Sequence, residues 1–508
     1  MGAAIVTTRA RAKRYAFLIH RWTGVGMCLL MALWFVSGMV MLFVGFPALT
    51  PWERLHALPL LQNEACCIAP EVALARSRAR DEVKALTLTS IRNKPHYILH
   101  EGNGRMLPVD AISGMPEAST GKELALVGAQ AFMEEGEAEY LGAVREDRWT
   151  HSGSLNPHRP LHLIQMHDAD STQLYVSSST GQIVLDAPVA QRRWNYVGAW
   201  LHWLYMLRSQ PSDPVWSWTI IVVSAIGVVT ALTGALTGIW RWRFSGTYKT
   251  GARTPFREDF LRWHHILGLV FGTVVLLWIF SGLMSMNPLG VFDAQGKQPD
   301  TKAYQGGTPA LIRLAGNPSV FLTMLRKADF AAKELEWRVL NGKPYVLARD
   351  GAGNTKLIRQ TGMQYAVSDE FSEQELLEAA RHLLPDFIQS SQMLEQYDAY
   401  YYKRGTESMY GSDERRLPAL RIAFNDPYNT WVHLDVHTGQ MALNMDRAER
   451  LGRWLFNLLH SWDLPAMLDS GWIRQCVLIL LSIGGVLLST TGIVLGMRRT
   501  RKWLRKLT

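Results

Sequence analysis

Cysteines, acidic residues within apolar runs and nucleotide-binding glycine loops are scarce in this chain, and each shortage removes a class of function. Four cysteines occur in 508 residues. Cys28 and Cys476 lie inside apolar runs, while Cys66-Cys67 are neighbours whose direct pairing would be strained; all four are read as structural. No Gly-x-Gly-x-x-Gly leads into a suitable helix and acid, and Gly351-Ala352-Gly353 matches only as a loop, which argues against a built-in nicotinamide or flavin domain. The apolar runs contain no acidic residue and no proline-broken pair such as a transporter's discontinuous helices would show. The first run lacks an Ala-x-Ala-like cleavage site and is too long for a signal-peptide core, so it is kept as an anchor.

Basic residues are plentiful, with a net charge of +9 and a pI near 9.3. Their placement excludes a nucleic-acid patch. Arg9, Arg11, Lys13 and Arg14 precede the first apolar run; Arg241, Arg243, Lys249, Arg253, Arg257 and Arg262 lie mid-chain; Arg498, Arg499, Arg501, Lys502, Arg505 and Lys506 close it. With Glu258 and Asp259 these segments carry +14, so the remainder carries −5. The excess is topological.

Four stretches, about 22–49, 219–240, 266–290 and 475–497, are long enough at 1.5 Å per residue to cross a bilayer. The positive-inside rule places both termini in the cytoplasm of a multi-pass protein seated in membrane lipid. The chain then divides into a tail with span 1 (1–49), an exported segment (50–190), an interfacial helix with span 2 (191–240), a cytoplasmic loop (241–262), span 3 (263–290), a second exported segment (291–448), and an interfacial helix, span 4 and tail (449–508). Within the exported segments, 173–185 and 430–443 read as hairpins broken at Thr-Gly-Gln, 93–99 and 341–347 as strands, and 122–133 and 373–384 as helices. Each is an α+β module. The expected class is an α-helical membrane protein, a four-span bundle with two exported α+β domains.

The two halves repeat. Shifting by 244 residues lays His20 on His264, Gly24 on Gly268, Trp34 on Trp278 and Ser37-Gly38 on Ser281-Gly282. A shift of 258 lays Asp168 on Asp426, Thr180-Gly181-Gln182 on Thr438-Gly439-Gln440, His202 on His460 and Thr233-Gly234 on Thr491-Gly492. One unit used twice, an internal duplication, accounts for both offsets.

His20 and His264 begin spans 1 and 3 at the cytoplasmic surface, whereas His202 and His460 lie in aromatic, interfacial segments at the exported one. Pseudo-symmetry thus offers two imidazoles to one shared cofactor at each face, and imidazole can hold haem iron axially. The alternative is a set of side chains that only hydrogen-bond neighbouring helices. Gly234-x-x-x-Gly238, Gly492-x-x-x-Gly496, Ser37-Gly38 and Ser281-Gly282 fit either a porphyrin face or plain helix packing. Arg193, Arg450 and Arg453 at the outer face, and Arg21 and Arg262 at the inner, are candidates for haem propionates or for ordinary snorkelling.

The His-Arg-Trp-x-Gly and His-His-x-x-Gly span starts, the twin Thr-Gly-Gln hairpins and the Thr-Gly-x-x-x-Gly exits resemble the PepSY-associated transmembrane family over residues of about 15 to 500. That family includes bacterial inner-membrane haem proteins that reduce ferric siderophores. The resemblance implies periplasmic PepSY-like domains and haem ligation by His20, His264, His202 and His460, with His265 as a substitute for His264. Depth and repeat symmetry pair His20 with His264 and His202 with His460. Two b-type haems are expected, since no Cys-x-x-Cys-His is present for covalent attachment. The implied activity is ferric-siderophore (ferric-chelate) reduction in iron uptake, with a quinol or a separate reductase as electron donor. Two rivals stand beside it: a non-redox protein whose PepSY-like domains bind or inhibit a periplasmic partner, and a chelate transporter. His151, His158, His162 and His167 suggest a metal or substrate cluster that their counterparts Met409, Arg416, Leu420 and Asn425 do not repeat; Tyr397 with Tyr400-Tyr401-Tyr402-Lys403-Arg404 reads as a strand with a packed aromatic face, the alternative being a docking surface for an anionic chelate.

Overall fold

The computed structural model describes residues 2–62, 66–209, 213–306, 316–362, 364–405, 408 and 414–505, with side chains from Ala10 onward in the first helix. Met409 and Lys506 lie outside the described residues. Four helices are long and apolar enough to cross a membrane: Gly2–Met41, Pro214–Arg241, Asp259–Ser285 and Trp472–Leu504. The protein is a multi-pass membrane protein. All four helices start before the expected spans because the apolar count registers only the hydrocarbon thickness, and the helix continues beyond it. Asp213 caps span 2 by accepting from the amides of Val215 and Trp216, with Pro214 in the first turn, and Glu258 caps span 3 by accepting from Leu261. Span 1 ends at Met41, short of the expected Leu49, and the following stretch containing Gly45 and Pro47 is irregular.

Spans 1 and 3 each pack on spans 2 and 4, so they face one another across the bundle's diagonal. Met27, Met31, Phe35, Val275 and Ile279 fill its middle. The close approach of span 4 depends on glycine: a Cβ at Gly485 would stand 2.7 Å from the Phe35 ring.

The extramembrane part holds three sheets. Strands β1 (Val83–Ile91), β2 (Lys94–Glu101) and β3 (Met106–Asp110) join β8 (Glu334–Leu340), β9 (Lys343–Arg349), β10 (Thr355–Thr361) and β11 (Gln364–Ser368) in one seven-stranded sheet. Its seam is the antiparallel pairing of β1 with β8, Leu86 opposite Trp337 and Leu88 opposite Leu335. The two segments read as separate modules in the sequence therefore share a sheet and a core of Tyr97, Phe321, Leu325 and Trp337. Cys66 and Cys67 are disulfide-bonded and pack against that core. Arg92-Asn93 and Asn341-Gly342 turn the chain at positive φ in the two matching hairpins.

Each half adds a four-stranded antiparallel sheet with a helix on it. One is β4 (Ala138–Val144), β5 (Leu161–Met166), β6 (Gln173–Ser177) and β7 (Ile183–Ala187) with helix Lys122–Phe132; the other is β12 (Ile388–Leu394), β13 (Ala419–Phe424), β14 (Trp431–Asp435) and β15 (Met441–Met445) with helix Glu373–Ala380. The hairpins break at the two Thr-Gly-Gln sequences as expected. Asp168 accepts from the amide and hydroxyl of Thr172 at 2.7 and 2.8 Å, and Asp426 does the same for Thr430 at 2.6 and 2.9 Å. The tyrosines at 397 and 400–402 differ from expectation: they follow β12 as a loop, where Asp398 accepts from the amides of Tyr400 and Tyr401 and so draws the backbone out of the strand ladder.

Two histidines of these domains make the fold acid-sensitive. Burial holds His158 down to about 4, helped by His100 and Arg54, and holds His433 down to about 3, helped by Arg421. An unfolded histidine titrates near 6.5, so as pH falls below that value the unfolded chain takes up protons that the folded chain refuses, and stability is lost. The unfolding midpoint of the purified protein, followed by tryptophan fluorescence, should fall between pH 6.5 and 4, and less steeply in a His158→Gln/His433→Gln variant. A midpoint equally steep in both would contradict this origin.

Candidate cofactor site

The site begins where each four-stranded sheet ends. Helices Val189–Asn195 and Arg447–Gly452 run into π-helical turns, Tyr196–Trp200 and Arg453–Leu458, which deliver His202 and His460 to the end of the bundle. Two residues later Leu204 and Trp462, at φ 51° and 50°, turn the chain toward the next span. The two rings meet between spans 1 and 3, centres 6.1 Å apart and planes at 72°. At the other end, His20 of span 1 and His264 of span 3 also stand with ring centres 6.1 Å apart, planes at 31°.

Every one of these four rings is held by Nδ1. His20 Nδ1 donates to the Thr230 carbonyl at 3.0 Å. The other three meet hydroxyl oxygens: His202 at Ser37 (2.9 Å), His460 at Ser281 (3.0 Å) and His264 at Thr491 (3.0 Å). A hydroxyl has one proton, and each of these spends it on the carbonyl three residues back, Trp34, Trp278 or Leu488. With the hydroxyl proton on that carbonyl, Nδ1–H is the donor and Nε2 keeps a bare lone pair. Among the described residues no hydrogen bond falls on any of the four Nε2 atoms. That is the tautomer a metal requires.

Glycine makes room for one ring. A Cβ at Gly234 would lie 2.6 Å from Cε1 of His20, whereas one at Gly38 or Gly282 would lie 3.7 Å from Cε1 of His202 or His460, an ordinary contact, and one at Gly492 would meet Cys28 Sγ at 2.3 Å before His264 Cε1 at 3.4 Å. Gly234 thus seats the His20 imidazole itself.

Each histidine pair opens into a cavity of about 190 Å³. Trp34, Phe35, Phe46, Trp203 and Trp278 wall the outer one, and Phe17, Met31 and Val275 the inner. Met31 and Phe35 are four residues apart on one helix, so the nearest walls of the two cavities are about one turn, ~5.4 Å, apart. Ring centres 6.1 Å apart at both ends would leave room for one metal atom between the imidazoles.

The model of the PepSY-associated TM region family matches residues 17–499. The chain belongs to that family. No curated protein matches it. In this family member the match takes in all four spans, the three sheets and the four facing histidines.

Other sequence candidates fall elsewhere. His265 has both nitrogens bonded, Nδ1 to Thr254 Oγ1 at 2.7 Å and Nε2 to the Gly238 carbonyl at 2.8 Å, so it does not share His264's geometry. His151, His158, His162 and His167 each contact a different group: Glu146, Ser177, Thr120 with Tyr140, and Glu139. Arg21, Arg193 and Arg262 are exposed, Arg450 donates to the Asn429 and Met445 carbonyls, and Arg453 pairs with Asp463 at 2.7 Å. The arginines that do line cavities are Arg404 and Arg474 outside and Arg241 inside. Sequence reasoning named Arg404 only within a docking surface for an anionic chelate and did not place it at a histidine cavity; it missed the hydroxyls that set the tautomers, for which the Ser-Gly and Thr-Gly pairs carried the signal.

Removing a hydroxyl frees its ring to rotate or change tautomer. Ser37→Ala, Ser281→Ala and Thr491→Val should each weaken metalloporphyrin binding at their own end by roughly 10–100-fold, read by absorbance titration, with the other end unchanged. Equal affinity in all three variants would show that these contacts do not prepare a ligand.

Proposed function

We propose that this chain is a bacterial inner-membrane electron-transfer protein holding two b-type haems, one between His20 and His264 and one between His202 and His460, and reducing a periplasmic ferric siderophore or similar ferric chelate during iron uptake. One observation carries the reading: four imidazoles, paired across the bundle, each with its Nδ1 proton committed and its Nε2 lone pair free. Helix-to-helix hydrogen bonding alone gives no reason for both pairs to face each other at the spacing of a shared metal.

In this reading the basic end of the bundle and both termini are cytoplasmic, the sheets are periplasmic, and the two halves arose by duplication. The matched Asp-Thr turns, π-turns and histidine contacts support that origin. Haem bound at the two sites supplies one-electron redox chemistry between an inner donor, a quinol or a separate reductase, and the outer chelate. The chain's own part would be to present both histidines of each pair, keep water from the cavities with tryptophan, phenylalanine and methionine, and hold the two pairs about 25 Å apart, the 17 residues of span 1 from His20 to Ser37 at about 1.5 Å each. Hard oxygen chelators grip ferric iron more tightly than ferrous, so reduction loosens the substrate's metal.

The purified, haem-replete protein should show a bis-histidine haem spectrum that shifts on dithionite, and His20→Ala and His202→Ala should each remove half of the haem. Colourless protein from cells well supplied with porphyrin would leave the family's partner-binding reading in its place. Uptake of a chelate into vesicles without redox change would favour transport.

A further inference from the structure

The outer cavity is not symmetric in its chemistry, although its ligands are. The wall from the first half carries no charged side chain and presents Leu42, Phe46 and Trp203; the wall from the second half carries Arg404, Ser461 and Arg474. Under the 258-residue offset Ser461 replaces Trp203, and Arg404, on the loop after β12, lines the cavity while no residue of the matching loop after β4 does. A symmetric ligand would have no use for such a difference.

Among the described residues Arg404 also shares its counter-charge with a second arginine. It is 8% exposed and donates to Asp463 Oδ2 at 3.2 Å, while Arg453, 4% exposed, takes Oδ1 of the same carboxylate at 2.7 Å. Tyr402 donates to Oδ2 as well, at 2.8 Å. Among the described residues Asp463 is the one carboxylate in ion-pair contact with either guanidinium. Arg453 further spends Nε on the Ala399 carbonyl and Nη2 on the Asp463 carbonyl, which leaves Arg404 as the member of the group turned to the cavity. Two buried cations sharing one anion are costly unless another anion completes the set.

We infer that Arg404 holds a carboxylate of the porphyrin in the outer cavity and so sets its orientation, acidic edge on the wall of the second half and apolar edge against Phe46 and Trp203. This rests on the haem reading above. A porphyrin with two carboxylates on one edge and alkyl groups on the other fits a cavity divided in this way, and a charge-assisted bond from a guanidinium is the stronger kind.

The test uses the full-length protein, with His20→Ala to leave the outer site alone, and compares iron protoporphyrin with its dimethyl ester by absorbance titration. The ester should bind roughly tenfold or more weakly, and Arg404→Leu should abolish that discrimination while Arg404→Lys keeps part of it. In the protein with both haems, Arg404→Leu should lower the midpoint potential of one haem only, because a nearby positive charge favours the reduced state. Arg453 still pairs with Asp463 in these variants, so the fold has no new unpaired carboxylate. Equal binding of acid and ester, or unshifted potentials in Arg404→Leu with both haems present, overturns the inference and leaves the dihaem reading standing. Failure of the otherwise unaltered protein to bind either porphyrin overturns both.

Discussion

A single proton on each imidazole decides what this bundle can do. Serine, threonine and one backbone carbonyl take up Nδ1 of four histidines, and the hydroxyls can accept only because their own protons are already bound to the helix three residues back. Without that commitment a hydroxyl could donate to Nδ1 and turn the proton to Nε2, where it would block a metal. The arrangement needs rigid helices on both sides, because ring and hydroxyl come from different elements.

The rest of the fold supplies that rigidity. Diagonal placement of spans 1 and 3 brings His20 to His264, and Gly234 on span 2 lets the His20 ring sit against the backbone. At the other end the histidines arrive from outside the bundle, on π-turns that follow the four-stranded sheets. The seven-stranded sheet joins the two halves across β1 and β8, and His202 and His460 come one from each half. Sheet pairing and the spacing of these histidines are thus linked.

Much of this was legible in the residues and some was not. The offsets of 244 and 258 exposed both histidine pairs, since a repeated polar residue at a span end stands out against apolar neighbours. The Thr-Gly-Gln hairpins read correctly because their turn chemistry is local. The β1–β8 pairing did not, because Leu86 and Trp337 are joined by no short-range pattern and a strand's partner is chosen by the whole sheet. Arg404 was read only within a docking surface beside Tyr400–Tyr402, because nothing local in the sequence brings that loop to the histidine cavity. The tyrosine loop was misread for a local reason: Asp398 competes for backbone amides that a strand would have used.

Low-temperature electron paramagnetic resonance of the oxidised, purified protein reads the axial ligands directly. Two low-spin ferric signals of the bis-imidazole type, one lost in His264→Ala and the other in His460→Ala, are the expected result. A protein fully supplied with haem that gives no low-spin bis-imidazole signal, or whose signals survive both substitutions, would contradict the account.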